Sequence, residues 1–167
     1  MNLYNIPVHK SSPRVVNAVI EIPKGSSVKY EYNSELGVFE YDRALDSAMV
    51  YPSNYGYIPG TLGDDGDPLD ILVISEHTID KGTLVECRVL GVLDMEDEGD
   101  KDYKVLAVPT ATRKRFRNLK DVDPLFLKIS KNFFMHYKDL ESKVVTVDKW
   151  LPKEVAMKII QESIYRQ

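Results

Sequence analysis

The chain has 167 residues, of which 43% are hydrophobic and 29% are charged, as is typical of a single globular domain large enough to bury a core. The net charge of −4 argues against a nucleic-acid-binding protein, which usually presents a basic face. The longest aliphatic run, residues 71–74, is far shorter than the roughly 20 residues that span a membrane. We therefore expect one domain over residues 1–167, located in the cytoplasm and without nucleic-acid or membrane partners.

Strand candidates dominate the first two-thirds of the sequence. They are rich in Val, Ile and Tyr, and Gly, Pro, Asp or Ser separate them. The predicted strands are 15–22, 28–32, 38–43, 70–75, 84–93 and 103–109. Several short strands joined by turns predict a compact barrel.

The last third of the sequence changes to a helical period. Asp123 and Pro124 suit the N-cap and the first position of a helix. Apolar residues then recur at spacings of three and four, as on one helix face: Phe126, Ile129, Phe133, Tyr137 and Leu140. A last strand is predicted at 144–147, and Pro152 opens a second, C-terminal helix that carries Val155, Ile159 and Ile160. The expected class is α+β, a β-barrel with helices packed outside it.

An acidic stretch stands directly before the aliphatic run. It contains Asp64, Asp65, Asp67 and Asp70. Two unit charges about 4 Å apart repel by about 1 kcal/mol in water and by roughly 4 kcal/mol near a protein surface. The stretch could be a solvated acidic turn, an EF-hand loop or a magnesium site. The EF-hand interpretation is weak, because Asp70 stands where that loop needs glycine and the flanks resemble strands.

A second acidic stretch strengthens the magnesium interpretation. Between two predicted strands lie Asp94, Glu96, Asp97, Glu98, Asp100 and Asp102. If both stretches lie at the same end of a barrel, their carboxylates can surround two or more divalent ions. Magnesium takes oxygen ligands and commonly shares substrate phosphates.

Cationic residues near these stretches are compatible with an anionic substrate. Lys29 shares a predicted strand face with Glu31, Arg43 ends the next strand, and Lys104 follows Asp102 by two residues. An isolated Lys or Arg is normally solvated. Beside an acidic metal cluster, however, such groups are those that phosphoryl chemistry uses.

The sequence closely resembles the family I soluble inorganic pyrophosphatases in their short prokaryotic form. Residues 65–71, DGDPLDI, fit that family's signature Asp-x-Asp-Pro-hydrophobic-Asp-hydrophobic. Further segments match in the expected order: EIPKGSSVKYE (21–31), YDR (41–43), YPSNYGYIPGTL (51–62), GVLDMEDEGDKDYKVLAVP (91–109) and HYKDLE (136–141). The resemblance implies an OB-like closed five-stranded barrel with flanking helices.

The resemblance also implies a role for individual residues. Asp67 resembles the general base. The residues that resemble metal ligands are Asp65, Asp70, Asp97 and Asp102. Those that resemble the substrate-binding set are Lys29, Arg43, Tyr55, Lys104, Tyr137 and Lys138. Glu21, Glu31 and Tyr51 resemble supporting residues.

The implied reaction is hydrolysis of inorganic diphosphate to two orthophosphates, by in-line attack of a water activated by two or more Mg²⁺ ions. The family further implies a homohexamer. Two alternatives remain at this point. A non-catalytic OB-type module for RNA is opposed by the acidic clusters, and a metal-dependent nucleotide phosphohydrolase would need a base-binding pocket that the sequence does not indicate.

Overall fold

The computed structural model describes residues 2–112 and 116–165, which include every predicted element and site residue. Within these residues the chain forms nine strands and two α-helices. The strands are β1 (Val15–Ile22), β2 (Val28–Asn33), β3 (Val38–Ala44), β4 (Asn54–Tyr57), β5 (Asp70–Val73), β6 (Leu84–Asp97), β7 (Asp100–Lys101), β8 (Lys104–Pro109) and β9 (Val145–Pro152). The helices are α1 (Pro124–His136) and α2 (Lys153–Ser163), and short 3-10 turns cover Leu3–Asn5 and Leu119–Asp121.

Five of these strands close into a barrel. Around the ring, β1 pairs with β4, β4 with β5, β5 with β8, β8 with β6, and β6 returns to β1. β7 and β9 extend from β6, whereas β2 and β3 form a separate two-stranded hairpin. The predicted α+β class and the OB-like closed five-stranded barrel are confirmed.

The aliphatic run after the acidic stretch reflects burial on both faces of β5. Ile71 and Leu72 are fully buried but belong to different hydrophobic clusters, and the parallel neighbour β8 alternates in the same way. Parallel strands that are covered on both faces need such continuous apolar sequences. The parallel register also pairs Asp70 with Lys104, so that both residues stand side by side where their strands begin.

The prediction missed β4 and underestimated β6. β4 has only four residues, and the tyrosine- and proline-rich sequence around it lacks a clear alternation. β6 continues to Asp97 rather than ending at residue 93, because pairing with β9 supports it as far as Asp97↔Val145. The last strand likewise runs to Pro152.

Helix α1 begins as predicted, with the Asp123 side chain accepting a hydrogen bond from the Leu125 N–H at 2.9 Å. Its predicted apolar face is partly wrong. Ile129 is 49% exposed and Leu140 is 78% exposed. Leu140 lies outside the helix, because α1 ends at His136 and Leu140 belongs to the following turns.

The buried stripe of α1 contains Ser130, Phe133 and Phe134. The two phenylalanine rings belong to the same hydrophobic cluster as the β-barrel residues Leu72 and Leu106. Helix α2 covers the other cluster with Ala156 and Ile160. Neither helix, nor any other among residues 2–112 and 116–165, is long and apolar enough to cross a membrane.

Candidate active site

A cavity of about 280 Å³ opens where β5 and β8 begin and β6 ends. It brings together all of the predicted site residues except Arg43. Its lining includes Glu21, Lys29, Glu31, Tyr51, Tyr55, Asp65, Asp67, Asp70, Asp97, Asp102, Lys104, Tyr137 and Lys138. Residues from six separate segments therefore share one small polar space.

Lys104 is a buried lysine of the cavity lining. Its buried ammonium group donates hydrogen bonds to Asp70 Oδ2 at 2.6 Å and to Asp102 Oδ1 at 2.5 Å. Burial alone would lower the pKa of Lys104, but the charges of Asp70 and Asp102 outweigh it and hold that pKa above its usual value. Lys104 is therefore a permanent cation between two carboxylates.

The two carboxylates beside Lys104 respond differently to this arrangement. Burial raises the pKa of Asp70 to about 6, and Lys104 opposes the shift only in part. Burial also acts on Asp102, but there the Lys104 charge outweighs it and the pKa lies below its ordinary value. Near neutral pH both groups are predominantly ionised.

Asp97, at the end of β6, presents an open ligand position. Its Oδ2 accepts a short hydrogen bond from Lys138 Nζ, whereas its Oδ1 is buried without a hydrogen-bond partner in the described structure. A buried carboxylate oxygen without a partner is costly, and such groups usually accept a donor, a water or an ion. This atom is therefore suited to a cation.

The acidic turn forms the mouth of the cavity. Asp65 Oδ1 accepts a hydrogen bond from the Asp67 N–H at 3.0 Å, and the Gly63 N–H donates to Asp67 O at 2.7 Å. Gly66 closes the turn with φ +89°, a conformation that side chains other than glycine rarely adopt. Asp64, Asp65 and Asp67 are all exposed. Although Asp67 is exposed, the surrounding protein removes part of the solvation of its carboxyl group. This partial burial, followed by the Asp65 charge, raises the pKa of Asp67 above its ordinary value.

The hairpin formed by β2 and β3 contributes one wall. Lys29 donates a short hydrogen bond to Glu31 and lies 3.2 Å from Asp42 Oδ2. Arg43, opposite Lys29 in the register, lies beside the cavity rather than on its wall, and its NH1 is 2.7 Å from Asp42 Oδ2. Its Nε and NH2 reach the two carboxylate oxygens of Glu141 at 3.0 and 3.3 Å.

Neutral tyrosines complete the wall. Tyr51, Tyr55 and Tyr137 are buried, and burial is the main cause that raises the pKa of each phenol above its usual value. They therefore keep their protons and can donate hydrogen bonds without adding charge.

Glu21 is a buried carboxyl group of the cavity lining. Its Oε1 accepts a hydrogen bond from the Tyr32 N–H at 2.9 Å, and burial raises its pKa to about 8.

Sequence reasoning missed several residues of the site. Five are aromatic or apolar residues of the cavity lining, and two are acidic partners of Arg43: Tyr4, Tyr30, Tyr32, Tyr57, Pro68, Asp42 and Glu141. Tyr4 comes from the N-terminal 3-10 turn and packs edge-on against Tyr57 at 4.9 Å. No periodicity could place it there, since 53 positions separate the pair. Asp42 and Glu141 lie inside matching motifs, which was the available signal.

No group of three or more acidic, His or Cys side chains in residues 2–112 and 116–165 converges closely enough to hold a metal ion. Lysines stand between the carboxylates instead, because unpaired carboxylates repel one another. The donor set nevertheless fits magnesium: it consists of carboxylate oxygens, which this ion prefers, and Asp97 Oδ1 has no partner among the described residues.

Comparison with known proteins identifies the family. The family model described as inorganic pyrophosphatase matches residues 18–167. The chain belongs to the inorganic pyrophosphatase family. An inorganic pyrophosphatase of Aeropyrum pernix is 52% identical over 161 residues, covering 93% of this chain and 91% of that protein. One from Sulfolobus acidocaldarius is 47% identical, covering 94% of both chains.

Solved pyrophosphatase structures share the fold over nearly the whole chain. The structure of the Thermus thermophilus inorganic pyrophosphatase superimposes with a TM-score of 0.95 at 41% identity, covering 98% of this chain and 97% of that one. An inorganic pyrophosphatase from Coxiella burnetii superimposes with a TM-score of 0.90 at 43% identity, covering 95% and 98%. The expectations of a pyrophosphatase-family enzyme and of an OB-like barrel are confirmed.

Proposed function

We propose that this chain hydrolyses inorganic diphosphate to two orthophosphates, with Mg²⁺ as its cofactor. The observation that carries this proposal is the cavity, which has a volume of about 280 Å³ and is lined by both lysines and carboxylates. This volume is at or below the lower limit of common ligand pockets, roughly 300–1,000 Å³, and suits a compact polyanion. Family membership independently supports the same reaction.

The proposed magnesium ligands are the carboxylates of Asp65, Asp70, Asp97 and Asp102, which line one cavity. Two or more ions bound there would neutralise substrate charge and lower the pKa of a bound water toward neutrality. Asp70 and Asp102 share Lys104 as their present partner. If these carboxylates held a cation, the ammonium hydrogens of Lys104 would be available to a phosphate oxygen.

Asp67 is the proposed general base. Its carboxylate stands at the exposed mouth of the cavity beside Asp65, and its raised pKa brings it closer to the value that suits proton transfer near neutral pH. Asp67 therefore accepts the proton of the attacking water. Because water attacks the phosphorus directly and in line, no residue of the chain becomes phosphorylated.

The cations and phenols hold the two phosphoryl groups. Lys29 and Lys138 belong to separate elements on the cavity wall, and Arg43 lies beside them. Tyr55 and Tyr137 offer neutral hydrogen-bond donors. Positioning and charge stabilisation carry most of the catalysis of phosphoryl transfer, so these residues stabilise the charge that builds on the departing phosphate.

The wider assignments are also proposals. Residues 1–167 act as one catalytic domain, and the functional assembly is a homohexamer in the cytoplasm without nucleic-acid or membrane partners. Family membership and the net charge of −4 support them.

Phosphate release tests the proposed function. Purified protein with Mg²⁺ should hydrolyse diphosphate with a kcat/KM at least ~10²-fold above that for ATP, because the small cavity lacks room to enclose a nucleoside. Omitting Mg²⁺ and adding a chelator should abolish the activity. Equal specificity constants for the two substrates would indicate a nucleotide phosphohydrolase, and RNA binding without phosphate release would indicate an OB-type module.

A further inference from the structure

Outside the barrel, the wall of the cavity has two halves, which the pairing of the barrel strands does not join to each other. The β2–β3 hairpin forms its own sheet within the described residues, yet it supplies Lys29 and Glu31 to the wall. The opposite half comes from the turn after α1, which supplies Tyr137 and Lys138. A substrate that contacts both halves therefore depends on how these elements are held together.

One ion pair bridges the two halves. Arg43 is the last residue but one of β3. Its Nε and NH2 donate to the two carboxylate oxygens of Glu141 at 3.0 and 3.3 Å, across 98 positions of sequence. Both side chains are partly buried, with 28% and 14% of their surfaces exposed. Two parallel N–H···O bonds fix orientation as well as distance. In this respect the pair differs from an ordinary surface salt bridge, which contributes little.

Short connections link this pair to the cavity lysines. Arg43 stands opposite Lys29 in the hairpin register, and both contact Asp42. On the other side, the Glu141 N–H donates to the Lys138 carbonyl at 2.9 Å. The separation of Lys29 from Lys138 is thus tied to the Arg43–Glu141 pair.

We propose that Glu141 is a positioning residue for the substrate: through Arg43, it holds the hairpin cations against those of the α1 turn and so sets the affinity for diphosphate. This inference rests on the proposed function and adds to it a residue outside the cavity lining. Glu141 does not touch the substrate in this scheme. Its carboxylate completes the site by orienting the guanidinium group and by closing the hairpin onto the turn.

A simple charge argument predicts the opposite effect. Glu141 is an anion near a site for a polyanion, so removing its charge should by Coulomb's law strengthen substrate binding. If Glu141 positions the cations, removing its charge should weaken binding because the two halves must then be ordered when substrate arrives. The sign of the change in KM separates the two explanations.

The test compares Glu141→Gln with Glu40→Gln. Glu40 is an exposed glutamate on the same hairpin, so its replacement removes the same charge without breaking the Arg43–Glu141 pair. We expect Glu141→Gln to raise the KM for Mg-diphosphate about tenfold with kcat within about threefold of wild type, since lost positioning appears in binding. Glu40→Gln should leave both constants unchanged or lower KM slightly.

A double variant shows whether Glu141 acts through Arg43. If it does, Glu141→Gln should raise KM in the wild-type background but not in the Arg43→Gln background, because the Arg43–Glu141 pair is already broken there. Urea unfolding of each variant checks that the fold persists. An unchanged or lower KM in a folded Glu141→Gln protein overturns the inference, as does an equal rise in the Arg43→Gln background. Absence of diphosphate hydrolysis by the wild type would instead overturn the proposed function.

Discussion

Asp64 and Asp70 carry the same side chain six positions apart, but the structure gives them different surroundings. Asp64 is exposed on the acidic turn, whereas Asp70 begins β5 and contacts Lys104 at 2.6 Å. Asp70→Asn keeps the shape and removes a charged ligand, so we expect kcat/KM to fall at least ~10²-fold, or about 2.7 kcal/mol of transition-state stabilisation. Activity titrated against Mg²⁺ measures this change and the expected loss of magnesium affinity.

Asp64→Asn is the matched control and should stay within about threefold of wild type, as a solvated turn carboxylate would. Both variants should fold, because Lys104 keeps Asp102 as a partner; circular dichroism checks this. Equal losses in the two variants would mean that the turn acts as a diffuse acidic patch, and the separate ligand roles would be wrong.

Glu21 makes stability depend on pH. Its folded-state pKa of about 8, raised by burial, compares with 4.5 for an unperturbed glutamate. Above pH 4.5 the unfolded chain releases a proton that the folded chain keeps, so a rising pH favours unfolding. The contribution of protonated Glu21 to the unfolding free energy is therefore fully present below pH 4.5 and is lost as pH rises through about 8. Glu21→Gln has no proton to lose. In the absence of metal, the unfolding free energy of Glu21→Gln should therefore rise relative to that of wild type between pH 5 and 9, by on the order of a few kcal/mol.

Urea unfolding at several pH values, in the presence of a chelator, measures this difference. Glu40→Gln, which changes an exposed glutamate, should give no such trend. A constant difference between Glu21→Gln and wild type across the window would show that Glu21 is ionised in the folded protein.

At the scale of elements, β4 is held by a contact that only glycine permits. A Cβ on Gly56 would lie 1.8 Å from the Val19 carbonyl oxygen, because β1 and β4 pair with Ile20 opposite Gly56. We expect Gly56→Ala to lower the unfolding free energy by roughly 3 kcal/mol or more, since backbone must move to admit the methyl group. Urea denaturation with linear extrapolation measures the loss.

Gly37→Ala provides the comparison. Gly37 has φ +71° and open space around its Cβ position, so alanine there costs only the strain of that conformation, about 1–2 kcal/mol. If the two variants lose the same stability, the crowding inferred between β1 and β4 is wrong.

The other elements show how far periodicity reaches. The hairpin and both helices follow from alternation, turn residues and caps, and Asp123 caps α1 as predicted. β4 was missed because four residues are too few to show a period. The exposure of Ile129 was missed for a different reason: the pattern predicts an apolar stripe, whereas the barrel surface decides which residues of the stripe it covers.

At the scale of the whole molecule, the proposed hexamer makes α1 a surface to examine. Leu125 and Ile129 are exposed on this helix at 60% and 49%, and Val50 lines a shallow groove beside Ile129. We expect light scattering in dilute neutral buffer to give a particle of about six times 19.1 kDa, since apolar surface of this kind is commonly buried by association. A particle of 19.1 kDa at every concentration would contradict the proposal.

The sequence by itself determined the fold class, most of the strands, both helix starts and the acidic motif, because these depend on local periodicity, turn chemistry and short spacings. Only the tertiary structure decided which charges meet. Lys104 reaches Asp70 because β5 and β8 are parallel and in register, and Arg43 reaches Glu141 because the hairpin folds back onto the α1 turn. Such pairs join segments far apart in the chain, so their partners depend on how the barrel closes, which no local pattern records.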